Sequence, residues 1–253
     1  MIQLATTWAE AYRKVKPHVF VSAAGGGSGT GIAALQNNNT DICTASRDIK
    51  PDERDKVKSA SGKEAKETVV AYDALAVYAH PSNPIKEMSI EELREIWSEG
   101  GLITQWEQVN PAFKGKLVLF GRQNSSGTYD YFREHVCGKT ADKKQREFRG
   151  AISEMNGSAE VVENVARTPT SLGYSGMGYK TPAVNWLMIS NKKGEPGVVP
   201  GVEAARSGKY PISRKLYMYT AGEPQGEVKA FIDWVLSPEG QKLVEKEGFV
   251  PLQ

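Results

Sequence analysis

Sulfur and imidazole are scarce here: 253 residues contain two cysteines and three histidines. Cys43 and Cys137 lie too far apart in sequence to define a disulfide framework, and a count of two leaves both their state and the redox compartment open. His18, His80 and His135 are scattered, and only His135-x-Cys137 gives a weak hint of metal-ligand spacing, so no metal or cofactor is expected. A Gly-x-Ser-x-Gly elbow is missing, and neither of the two serine-bearing loops described below has a histidine that sequence assigns as its base, which disfavours acyl transfer and phosphate-ester hydrolysis. No apolar run approaches the roughly 18 to 20 residues of a membrane span, and Met1 is followed at once by an amphipathic pattern in place of a secretory signal. Excess charge is lacking too. With 32 Lys+Arg against 30 Asp+Glu the formal net charge is +2, so no global field favours nucleic acid or an anionic membrane, and any anion chemistry is local.

Glycine, by contrast, is concentrated. Residues 22–35 read Ser-Ala-Ala-Gly-Gly-Gly-Ser-Gly-Thr-Gly-Ile-Ala-Ala-Leu. Ahead of them, Ile2, Ala5, Trp8, Ala9, Tyr12 and Val15 recur at helical spacing and predict a first helix ending near Pro17. The β-branched stretch His18–Ser22 predicts a buried strand, and Gly31–Leu35 the start of a helix. A strand-to-helix turn of this kind gathers free backbone N–H groups at the positive end of a helix dipole. It is not a nucleotide P-loop, because Ile32 stands where Lys-Ser or Lys-Thr is needed. Gly29-x-Gly31-x-x-Ala34 matches a relaxed dinucleotide fingerprint, but no second strand ending in an acidic residue follows at the right distance. A purely geometric glycine turn with Ser28 as helix cap is the plain alternative.

The arrangement recurs. Lys116–Phe120 predicts a strand, Gly121–Thr128 (Gly-Arg-Gln-Asn-Ser-Ser-Gly-Thr) a polar loop, and Tyr129–Val136 an amphipathic helix. Ser-Gly-Thr occurs at 28–30 and again at 126–128. Two such turns could surround one tetrahedral oxyanion with hydroxyl and N–H donors, with Arg122 supplying the formal charge.

Seven segments carry a resemblance that spacing alone does not. GGGSGTGIAAL, TDICTASRDI, AYDALAVYAHPSNP, SIEELREIW, GRQNSSGT, GKYPISRKLYMY and FIDWVLSPEGQKLVEKEGFVPL occur in the order seen in the phosphate-binding proteins of bacterial ABC importers, over nearly the whole chain. The resemblance implies an α/β, two-lobed type II periplasmic-binding-protein architecture with a hinge and a ligand cleft. It implies inorganic phosphate as ligand, ABC permease subunits as partners, a monomer that binds no nucleic acid, a periplasmic or cell-surface location, and no enzymatic activity. Carried over by position, the ligand-binding residues are Ser28, Gly29 and Thr30 in the first loop and Arg122, Ser126, Gly127 and Thr128 in the second. Hydroxyls and amides are compact donors to a phosphate oxygen cluster, and a guanidinium adds a charge-assisted fork.

Two departures from the family pattern matter. Many members carry Asp where ASRDI here has Arg47, and that carboxylate accepts the proton that distinguishes hydrogen phosphate from sulfate. Arg47 only donates, but other members resemble this chain in having Ser-Arg there, paired with an Asp shortly afterwards in YDALAV; that resemblance implies Asp73 as the substitute acceptor, unless it serves as an ion-pair partner that positions Arg47. The family also begins with a signal segment, a strand and a Gly-Ser-type loop, whereas this chain begins inside the following helix, and truncation or a mis-set start is the expectation.

The 253-residue length suits one large domain or two small ones. Val69–Tyr78 is suited to a strand leaving the first lobe and Pro211–Tyr219 to its return, which divides the chain into lobe I (1–76 and 215–253) and lobe II (77–214). Ser89-Ile-Glu-Glu reads as a capping box opening a helix through Trp97. Ser158 begins another helix and reads first as its cap, second as a residue facing the cleft. Val228, Phe231, Ile232, Val235 and Leu236 line one helix face, and Ser237-Pro238 caps the next helix. The five tryptophans read as packing. A sensor or adhesion protein using the same lobes without transport is the alternative function, and a phosphatase built on Ser126 a more distant one.

Overall fold

The computed structural model describes residues 1–252. In chain order the first elements are α1 (Ile2–Val15), α2 (Ser28–Gln36), β1 (Cys43–Ala45), α3 (Pro51–Ser61), β2 (Ala65–Ala79), β3 (Glu87–Ser89), α4 (Ile90–Trp97), β4 (Val118–Arg122) and α5 (Gly127–Phe132). There follow β5 (Ile152–Met155), α6 (Ser158–Arg167), β6 (Ser171–Gly176), β7 (Asn185–Trp186), β8 (Met188–Ser190), α7 (Val202–Arg206), β9 (Ser213–Ala221), α8 (Gly226–Leu236) and α9 (Pro238–Lys246). The chain forms two compact units, Met1–Asp73 with Arg214–Gln253, and Ala74–Ser213. The long strand β2 contributes residues to both.

In the first unit β1 pairs antiparallel with β9, Cys43 opposite Tyr219 and Ala45 opposite Tyr217. Because successive strand side chains point to opposite faces, β9 feeds two cores. Leu216 and Met218 join Leu4, Trp8 and Tyr12 of α1 and Phe231, Ile232 and Val235 of α8. Tyr217 and Tyr219 join Ile32 and Leu35 of α2, Cys43, Ala45 and Val57. The Trp8 indole, fully buried, donates to the Gly240 carbonyl at 2.9 Å, so α1 is fixed to α9 by a polar contact as well as by packing.

In the second unit the far half of β2 pairs antiparallel with β6, β6 runs parallel to β4, and β4 parallel to β5. Parallel strands need a crossover, and α6 supplies the one between β5 and β6. The core gathers Trp97, Trp106, Phe132, Tyr174 and Leu187, and the Phe132 and Tyr174 rings stack with centroids 3.9 Å apart.

Several local expectations are met residue for residue. Ser89 Oγ accepts the Glu92 N–H at 3.1 Å while Glu92 Oε2 accepts the Ser89 N–H at 3.0 Å, a reciprocal cap at the start of α4. Ser237 Oγ accepts the Gly240 N–H, with Pro238 in the first turn of α9. Trp8, Trp97 and Trp106 are fully buried and Trp186 and Trp234 partly so. Both cysteines are free and buried.

Others are corrected. His18–Ser22 forms no strand: its one backbone bond besides any ladder is from Val19 N–H to Lys16 O, and Phe20 is 75% exposed. β-branched composition favours a strand only where a neighbouring strand completes the ladder, and none does so here among the described residues. The apolar stripe of α1 matches the expected one at Trp8, Ala9 and Tyr12 and differs towards its ends. Leu4, Trp8, Ala9 and Tyr12 are buried, whereas Ile2 and Val15 at its ends are exposed. The helix expected over Tyr129–Val136 starts earlier, at Gly127, and passes at Arg133 into a π-turn that runs to Cys137. That turn ends at Gly138, whose φ of 65° suits a residue without Cβ.

Candidate anion-binding site

The first loop leads through Gly26 and Gly27, both at positive φ, into α2. Ser28 is not the helix cap: Gly27 occupies that position and Ser28 is the first helical residue. Its hydroxyl instead reaches sideways to the segment after β1, accepting the Ser46 N–H at 3.0 Å, with the Ser46 hydroxyl at 3.4 Å. The first intrahelical bond runs from Gly31 N–H to Gly27 O, so the N–H groups of Ser28, Gly29 and Thr30 precede the ladder. The Thr30 hydroxyl donates to Gly26 O at 2.8 Å, which leaves its N–H as the group it offers. Gly31 is needed for space: a Cβ there would sit 2.9 Å from Cys43 Sγ, because α2 lies directly against β1.

Arg47 and Asp73 do not form a pair. Arg47 makes a two-pronged contact with Glu53 in the first turn of α3, Nη1 to Oε2 and Nη2 to Oε1, both at 2.8 Å. Asp73, buried, accepts from Nε and Nη2 of Arg214 through Oδ2 at 3.1 and 3.0 Å. The reading of Asp73 as the group that positions Arg47 is therefore corrected. The chain turns from β1 straight into α3 and brings Glu53 to Arg47, whereas Asp73 near the middle of β2 faces the start of β9. The Arg47 guanidinium holds the Glu53 carboxyl down at about 2, and Cys43, buried beside it, is pushed up to about 12 and stays a neutral thiol.

In the second unit Arg122 ends β4, and the turn Gln123–Ser126 leads into α5. Ser126 is the cap of α5, its Oγ accepting the Thr128 N–H at 3.2 Å. Register places Arg122 opposite Met155 at the end of β5, and the Gln123 N–H donates to Met155 O at 3.0 Å. Both strands therefore end together where α5 and α6 begin, the edge at which open α/β sheets take ligands. The arginine is anchored by neutral groups: Nη1 donates to Ser158 Oγ at 2.6 Å and Nη2 to Asn156 O at 3.1 Å. Its Nε is buried with no acceptor. Burial lowers the Arg122 pKa, opposed only by Tyr179 and Tyr174, and no carboxylate within ion-pair distance of Arg122 occurs among the described residues.

Ser158 is the residue the sequence undervalued. Gly157 takes the cap position of α6, so the Ser158 hydroxyl, on the first helical residue, is free to accept from Arg122. The one available signal was its place at the mouth of a helix that follows the neighbour of the Arg122 strand. Within the first unit the structure thus brings Ser28, Gly29, Thr30 and Arg47 together, a Cβ on Gly29 lying 3.9 Å from Arg47 Nη2. Within the second it brings together Arg122 and Ser158, with Ser126 closing the turn that follows Arg122 and Gly127 and Thr128 opening α5.

Residues 2–239 match the model of the PBP superfamily domain. The phosphate-binding protein PstS of Pseudomonas aeruginosa is 33% identical over an alignment spanning 100% of this chain and 80% of that protein. The crystal structure of a possible phosphate binding protein from Planctomyces limnophilus superposes with a TM-score of 0.87 at 29% identity, covering 100% of this chain and 89% of the other. A phosphate ABC transporter substrate-binding protein from Clostridium perfringens, solved with bound phosphate, gives a TM-score of 0.65 at 27% identity and covers 100% and 96%. Fold, motifs and full-length identity agree, and the chain belongs to the PBP superfamily, in the family of the phosphate-binding protein PstS.

Proposed function

We propose that this chain binds inorganic phosphate and delivers it to the permease of an ABC importer. The observation that carries the reading is Arg122, a half-buried guanidinium held in place by a hydroxyl and a carbonyl with no carboxylate paired to it. A desolvated cation left with neutral anchors is stabilised by an incoming anion far more than one already paired within the protein. Within the first unit, the Ser28, Gly29 and Thr30 amides and the Ser28 hydroxyl form a donor set suited to tetrahedral oxygens. Binding, not catalysis, accords with the partners of the two serines: Ser28 contacts Ser46 and Ser126 caps a helix, and neither meets a base. The Clostridium perfringens protein solved with phosphate is a substrate-binding protein of a phosphate ABC transporter, which supports the transport context; on the same reading this chain acts as a monomer outside the cytoplasm. Sensing without transport uses the same donors and differs only in lacking a permease partner.

Calorimetric titration with phosphate, and with sulfate in parallel, tests the ligand. Arg122→Ala should keep the melting curve and weaken phosphate by roughly 30-fold to several thousand-fold, the range for truncating one member of a desolvated charge contact. An affinity within threefold of the parent in a folded variant refutes the role of Arg122, and absence of phosphate binding by the parent refutes the function.

A further inference from the structure

We infer that Glu53 is a specificity-determining positioning residue: it holds Arg47 beside the Ser28 loop and cancels its charge, so that this loop offers an anion hydroxyl and amide donors without an uncompensated guanidinium charge. The inference rests on the phosphate reading above.

Five hydrogen bonds support it. Both Glu53 oxygens engage Arg47 at 2.8 Å, and Oε2 also accepts the Lys50 N–H at 2.9 Å, so the carboxylate is itself fixed to the first turn of α3. Its side chain is 15% exposed against 35% for Arg47, which puts the acid on the inner side of the pair. Arg47 Nη1 additionally donates to Asp48 O at 3.0 Å, fixing the plane of the fork. The neighbouring Ser46 N–H holds Ser28 Oγ, so Arg47 and Ser28 are tied to the same backbone stretch. Cys43 and Tyr219 also face the guanidinium, and burial keeps both uncharged at neutral pH. Glu53 is thus the ionised group that sets the charge Arg47 shows an anion.

Charge count bears on which anion is preferred. One extra positive charge attracts a dianion about twice as strongly as a monoanion at the same distance. Sulfate is a dianion throughout the working range, whereas in mildly acidic buffer phosphate is mainly the monoanion. Masking Arg47 therefore favours phosphate over sulfate, without a carboxylate that must touch the ligand proton.

The test is calorimetric titration of phosphate and sulfate into the parent, Glu53→Gln, Glu53→Asp, Arg47→Ala and Arg47→Ala/Glu53→Gln proteins in mildly acidic buffer at low and high salt. The expected result is a sulfate-to-phosphate affinity ratio raised about tenfold or more in Glu53→Gln, a steeper loss of sulfate binding with salt, and a ratio near the parent value in Glu53→Asp. Arg47→Ala, which strands a carboxylate at the loop, should bind both anions more weakly than the double variant. A folded Glu53→Gln protein with the parent's ratio and salt dependence overturns the proposal. So does an Arg47→Ala protein with unchanged affinities, and that result leaves the phosphate reading standing, which fails only if the parent itself does not bind phosphate.

Discussion

Gly31→Ala tests how tightly the first ligand loop is held. The added methyl would lie 2.9 Å from Cys43 Sγ and 3.6 Å from Thr44 O, and Cys43 sits on a paired strand with 1% exposure, so the sulfur has little room to withdraw. Ordinary carbon–sulfur contact is longer by most of an ångström, and forcing a methyl into a packed site costs about 1–3 kcal/mol. Against this, Ala within a helix is worth ~1 kcal/mol over Gly, which leaves a net loss of about 0–2 kcal/mol. Cys43→Ala alone should cost about 1 kcal/mol for the cavity. In the double variant the clash disappears and the helix-forming gain of Ala remains, so the two changes should be non-additive by about 1–3 kcal/mol in the stabilising direction. Urea unfolding of the four proteins measures this directly. Because α2 carries Ser28, the single Gly31→Ala protein should also lose phosphate affinity and the double variant regain it. Additivity within ~0.5 kcal/mol would show that α2 and β1 are not in the close contact described, and would refute the reasoning.

Two further outcomes follow from the buried groups. Asp73→Asn removes the carboxylate that the Arg214 Nε and Nη2 engage and should lower stability by about 3 kcal/mol in urea unfolding, with equal losses of phosphate and sulfate affinity; a loss confined to phosphate would instead assign the ligand proton to Asp73. With the Cys43 thiol pushed up to about 12 by burial and that of Cys137 also raised, neither should react with a thiol reagent at mildly alkaline pH until the protein is unfolded, and rapid labelling of the native protein would contradict their placement.

Periodicity and capping chemistry were the parts of the sequence that could be read directly. The Ser89 and Ser237 caps and the apolar face of α8 depend on neighbours within a few residues, so local pattern specified them. His18–Ser22 failed because a strand is a property of two segments, and its composition says nothing of whether a partner is present. The candidate site divides along the same line. The Ser28 and Ser126 loops were legible from glycine and hydroxyl residues in sequence, but the caps differ: Ser28 yields the position to Gly27 while Ser126 keeps it. The Arg47–Glu53, Asp73–Arg214 and Arg122–Ser158 contacts were not legible. Each depends on how a turn or strand register aims a long side chain, which residue type and spacing leave undetermined.

The division of the chain between the two units also sets an order of assembly. Ala74–Ser213 is one uninterrupted stretch, whereas the other unit is sewn from the two ends of the polypeptide, with β1 waiting for β9. At ordinary ribosomal speed the intervening stretch takes on the order of ten seconds to emerge. By the end of that interval the inserted unit has every residue it needs to collapse, while α1, α2 and β1 still lack the strand and the helices α8 and α9 that cover their apolar faces. Closing so long a loop is much less unfavourable when its interior is already compact, because a folded insert holds its own ends together. Arg122 and Ser158 would then reach their places during synthesis, and the Ser28 loop only after α8 and α9 have left the ribosome.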